Sequence, residues 1–158
     1  MPAKTCLLIA VLLTGSPVLM AQTGADDPIM GTWKINVART QLNPGQSAEA
    51  LTRTHEPIPN GIRITRPLRD ADGNPTRGTW TLYFDGQDHP VHGDANLDTL
   101  ALRRIDRYTL EAVAKKDGQV HNRMRWDISR DGKSMTWTAD RVLPPERAGR
   151  TVRVYDKQ

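Results

Sequence analysis

Val120-His121-Asn122-Arg123-Met124-Arg125-Trp126-Asp127-Ile128 decides the fold class. Val120, Met124, Trp126 and Ile128 share one parity, and His121, Arg123, Arg125 and Asp127 share the other. Side chains on a β-strand alternate between faces, so this stretch reads as a strand with one face in an apolar interior and the other in water. From Met30 onward no segment shows a convincing helical period.

Outward from that strand, similar patterning predicts strands near 31 to 38, 50 to 56, 61 to 69, 76 to 84, 89 to 92, 99 to 105, 107 to 116, 119 to 130, 133 to 142 and 150 to 156. Asp-Gly pairs at 72/73, 85/86, 117/118 and 131/132 supply the tight turns between them. Arg39 to Ala48, with Asn43-Pro44-Gly45 inside it, reads as a loop. Many short strands joined by turns predict an all-β protein, an antiparallel meander in a sandwich or a barrel, with little helix.

The N-terminus is a different kind of segment. Lys4 followed by Cys6-Leu7-Leu8-Ile9-Ala10-Val11-Leu12-Leu13 has the layout of a secretory signal peptide, with cleavage expected after Ala21. The apolar run is too short to span a bilayer. The expected organisation is a signal peptide over 1–21, a flexible lead-in over 22–29 and one β domain over 30–158, with export to periplasm or medium and no transmembrane segment in the mature chain. Cys6 is the only cysteine, so the mature chain has no disulfide, thiolate nucleophile or cysteine metal site. A formal net charge of +4, with acids scattered among the arginines, lacks the dense basic stripe of a nucleic-acid surface.

Catalytic constellations are not evident. Ser47, Ser129 and Ser134 occur in no nucleophile-elbow pattern, and Asp70, Asp72, Asp85 and Asp88 fall in turns, where Asp serves backbone hydrogen bonding. His89-Pro90-Val91-His92-Gly93-Asp94 invites a metal reading, but residues three apart on a strand point to opposite faces. The expectation is therefore no enzyme, no metal and no cofactor. The tryptophans remain: Trp80 shares its parity with Leu82 and Phe84, Trp126 with Met124 and Ile128, and Trp137 with Met135 and Ala139. All three could line one interior.

Gly31-Thr32-Trp33-Lys34 on the first strand and Thr151-Val152-Arg153-Val154-Tyr155-Asp156-Lys157 on the last resemble the ends of lipocalins and cytosolic fatty-acid-binding proteins. Gly31 to Thr40 with Pro44-Gly45, Phe84 to Gly93 and Thr99 to Asp106 resemble a group of uncharacterised exported bacterial lipocalin-like β-barrel proteins. The resemblance implies the barrel: an all-β, antiparallel up-and-down meander β-barrel of about eight to ten strands over 30–158, whose terminal strands pair to close it. It differs from the fatty-acid-binding proteins at Arg39 to Ala48, which is too short for their two-helix lid.

Two assignments follow for the last strand. The lipocalin likeness implies that Trp33 packs under a basic residue, Arg153, at the closed end. The fatty-acid-binding-protein likeness implies that Arg153 and Tyr155 point inward and hold a ligand carboxylate, whereas simple apolar burial would turn Val152 and Val154 inward instead. The candidate ligand-binding set is Arg153, Tyr155, Trp80, Trp126, Trp137 and Arg125, with Arg141 as a further cation. The expected function is binding of a small hydrophobic or anionic amphipathic molecule by a monomer. The alternative is a packed barrel without a cavity, acting as an envelope interaction module or as an inhibitor of a secreted enzyme.

Overall fold

The computed structural model describes residues 26–40, 52–69, 72–92, 97–142, 144–145 and 148–158. The predicted signal peptide, residues 41–51 of the loop after Arg39, and residues 143, 146 and 147 after Val142 lie outside the described residues. Ten strands follow one another: β1 Gly31–Ile35, β2 Arg53–Ile58, β3 Gly61–Arg69, β4 Pro75–Tyr83, β5 His89–Pro90, β6 Thr99–Asp106, β7 Thr109–Lys116, β8 Gln119–Ile128, β9 Ser134–Arg141 and β10 Gly149–Lys157. They form one antiparallel sheet in the order β4-β3-β2-β1-β10-β9-β8-β7-β6-β5. No α-helix occurs among the described residues.

The first and last strands pair, Trp33 opposite Lys157 and Ile35 opposite Tyr155, which joins the two halves of the meander. The sheet then curls until its outer strands meet: Asp85 bridges to Arg103, and the Gly86 amide donates to the Leu102 carbonyl at 2.9 Å. Contact there is confined to the end of β4, so the barrel is nearly closed, with a seam between β4 and the short β5.

The turns explain the meander locally. Asp117 and Gly118 both have positive φ (50° and 73°), the hairpin conformation whose twist matches that of the flanking strands. Gly61 answers a packing demand instead. A Cβ there would lie 2.2 Å from the Leu82 carbonyl oxygen on the neighbouring strand. Gly61→Ala is expected to cost about 3 kcal/mol in urea unfolding, because backbone rather than a flexible side chain must move. A loss below about 0.5 kcal/mol, typical of a harmless surface change, would show that β3 and β4 part freely.

Strand alternation sends Trp33, Ile35, Ile62, Ile64, Leu82, Leu100, Leu102, Leu110, Ala112, Trp126, Ile128, Met135 and Tyr155 into one core. One end of that core is sealed by the segment before β1. Asp27, Pro28 and Ile29, from the segment expected as a flexible lead-in, are buried there, as is Met30. Asp27 pairs with Arg104 across the barrel end, and the Ile29 carbonyl accepts from Trp33 Nε1 at 2.9 Å and from His55 Nδ1 at 3.0 Å.

The basic residue over Trp33 is Lys157, whose Nζ lies 5.3 Å from the ring centroid, and not Arg153. Lys157 also donates to the Pro28 carbonyl, tying the last strand to the seal. The closed-end role that the lipocalin likeness assigns to Arg153 thus falls four residues later on the same strand face.

Candidate functional site

Apolar burial alone misreads β10. Tyr155 is fully buried and Arg153 half-buried on the interior face, whereas Val152 is exposed on the outer one. Val154 also points outward, yet it is buried because the chain after β1 covers it: Thr40 Oγ1 receives the Val154 amide at 2.9 Å, and the Val154 carbonyl accepts from Asn36 N. An outer-face valine can be sheltered by a loop, so parity of apolar residues does not fix the interior of this strand.

Away from the sealed end the core is not filled. A cavity of about 160 Å³ is lined by Arg53, Arg66 and Arg153, the indoles of Trp80, Trp126 and Trp137, and the apolar side chains of Ile64, Leu82, Val91, Leu97, Leu100 and Met124. Trp80, Val91, Leu97 and Leu100 flank the seam, so the cavity lies against the gap in the barrel. No carboxylate is among the described residues that line it.

The guanidinium groups of all three arginines lie against aromatic rings. Arg53 lies 4.7 Å from the Tyr155 ring centroid and 5.8 Å from that of Trp137. Arg153 stacks on the other partner, 4.9 Å from the Trp137 centroid, and Arg66 sits 4.6 Å from that of Trp80. Such contacts favour a cation by about 0.5 to 2 kcal/mol each. Arg53 is 8% exposed and donates from Nη2 to the Tyr155 hydroxyl at 2.7 Å, and no carboxylate among the described residues pairs with it. Burial lowers its pKa from the usual range; Tyr155 opposes this, while the nearby positive charges of Arg153 and Arg66 push the same way as burial.

The uncompensated polar groups around the cavity are donors. Arg53 Nε, Trp126 Nε1 and Trp137 Nε1 are occluded from solvent and have no hydrogen-bond acceptor. Trp126 and Trp137 are direct cross-strand partners on β8 and β9, so their N–H dipoles belong to one patch of wall. Buried cations normally carry a counter-ion, and buried donors an acceptor. The wall therefore presents positive potential to whatever occupies the cavity.

Of the six residues expected to bind a ligand, the structure brings Arg153, Trp80, Trp126 and Trp137 to the cavity. Tyr155 does not line it; its hydroxyl holds Arg53 from below. Arg125 does not join them. It stands on the outer face of β8, exposed, and pairs with Glu111 at 2.7 Å and Asp127 at 2.9 Å. Its parity is opposite to Met124 and Trp126, which excludes it from the interior. Arg141 is exposed at the end of β9.

Two arginines of the lining escape the sequence reading. Arg66 shares parity with Ile62 and Ile64, a signal that could have found it. Arg53 offers none, because β2 carries polar residues on both faces. Of the histidines considered for metal, His89 bonds to Asp85 at 2.9 Å and packs against the Tyr83 ring, and His92 is exposed.

The fold and site define a nearly closed up-and-down β-barrel with a cationic, tryptophan-walled cavity. Comparison with protein-family models and with curated proteins gives no match.

Proposed function

We propose that this chain is an exported lipocalin-like barrel that binds a small anionic amphipathic molecule in the cavity at the seam. The observation that carries this reading is Arg53: a buried guanidinium with no carboxylate partner among the described residues, beside Arg153 on a cavity that has no acidic lining there. A ligand carboxylate would supply the missing counter-ion through charge-assisted hydrogen bonds, and a planar guanidinium suits the two oxygens of a carboxylate. The three indoles would receive the apolar part. A cavity of this kind also argues against the packed-barrel alternative, whose interior would be filled by its own side chains.

Binding should depend on charge. Hexanoate at ten times its Kd is expected to stabilise the protein by about 1.4 kcal/mol in thermal unfolding, while hexanamide of the same shape has little effect. Arg153→Gln should weaken hexanoate by about tenfold to a hundredfold, the scale of a hydrogen bond to a charged group, without unfolding the barrel. Equal binding of the acid and the amide, unchanged in the variant, would refute the reading.

A further inference from the structure

We propose that the occupant is a compact aromatic carboxylate of single-ring size rather than a long-chain fatty acid; this rests on the anion-binding reading above. Size is the first ground. An apolar protein cavity of about 150 Å³ accommodates one benzene ring, and the cavity here is about 160 Å³. The sealed end gives it no room to lengthen inward: Ile62, Leu102 and Met135 are fully buried below it, with Ile29 and Trp33 closing the barrel end.

Shape is the second ground. The polar end of the cavity is a stack of flat groups, Arg53 and Arg153 both against Trp137, with Trp126 as its cross-strand neighbour. Across the cavity, Arg66 lies against Trp80. A flat ring can lie against indole and guanidinium faces and gain edge, stacking and cation–π interactions that an alkyl chain does not make. A carboxylate on that ring would meet Arg53 and Arg153, and the ring would then lie among Trp80, Leu100 and Met124.

Calorimetry on the mature chain, Gln22 to Gln158, with two acid series tests the proposal. Among six-carbon bodies, benzoate is expected to bind about threefold to tenfold more tightly than cyclohexanecarboxylate, the fold-change that aromatic stacking supplies. Among straight-chain acids from butanoate to dodecanoate, affinity should rise about fourfold per methylene, the gain from burying one CH2, and then level off beyond hexanoate or octanoate. A rise that continues to dodecanoate, or cyclohexanecarboxylate matching benzoate, would overturn the compact aromatic assignment while anion binding stood. Arg153→Gln, checked for an unchanged unfolding midpoint, separates the two failures. If every acid binds the variant as well as the original chain, or none binds either, the anion-binding reading falls with the inference.

Discussion

Replacing Arg53 by Met together with Tyr155 by Phe is expected to stabilise the ligand-free barrel and abolish anion binding. Arg53 is 8% exposed, lacks a carboxylate partner among the described residues and lies near two other guanidinium groups. Removing an uncompensated buried charge relieves its desolvation cost, and a methionine fills much of the same volume with a flexible apolar chain. Changing Arg53 alone would leave the Tyr155 hydroxyl without its 2.7 Å donor, in a residue that is fully buried. The paired substitution avoids that penalty. The gain should be about 1 to 3 kcal/mol, within the range seen when apolar groups replace buried charges, which would raise the thermal midpoint by roughly 3 to 15 °C. Hexanoate and benzoate should no longer shift that midpoint. A stability loss of the same size would identify Arg53 as part of the packed structure and remove its claim to a binding role.

The second large effect is acid sensitivity set by His55. Its ring is 2% exposed, Nδ1 donates to the Ile29 carbonyl at 3.0 Å, and Nε2 has no partner. Burial, and next the positive Arg53 beside it, push its pKa down to about 3 from an ordinary value of 6.5. Between those values the unfolded chain takes up a proton that the folded chain refuses. Stability is therefore complete above about pH 6.5 and declines as the pH falls, by up to about 1.4 kcal/mol per pH unit. Carboxylates whose pKa values are lowered by their partners, such as Asp85, Asp98 and Glu111, add to this only nearer pH 4, because their ordinary values are 3.8 to 4.5. The window from pH 6.5 to 4.5 is thus where His55 acts. His55→Asn retains a donor for the Ile29 carbonyl but does not titrate, so the slope of unfolding free energy against pH in that window should flatten, whatever the variant's absolute stability. An unchanged slope would show that another group causes it.

How much of this was legible in the sequence depends on whether the residue type and the strand period agreed. On β8 they do: Met124, Trp126 and Ile128 alternate with charged residues and point inward. The same agreement locates Trp80 and Trp137, whereas the Asp-Gly turns were legible from turn chemistry and the pairing of the chain ends from the resemblance of the terminal strands. On β10 the two disagree, because the interior holds Arg153 and Tyr155, while Val154 is buried outside under Thr40. Arg53 and His55 face inward from a strand with little apolar content, where periodicity carries no information. Both sit where the barrel departs from simple burial, one at the cavity and one against the segment that seals its end. The burial of Asp27 to Met30 was illegible for a similar reason. It depends on Arg104, far along the chain, and on a shared carbonyl that no local pattern announces.

Native mass spectrometry of the protein, purified gently from its own host, tests the central claim most directly. The account predicts a one-to-one complex with a small organic acid, released on unfolding and absent from the Arg53→Met/Tyr155→Phe variant prepared identically. A bound neutral lipid retained by both proteins, or a ligand-free protein that takes up no carboxylate when titrated in the same instrument, would contradict it.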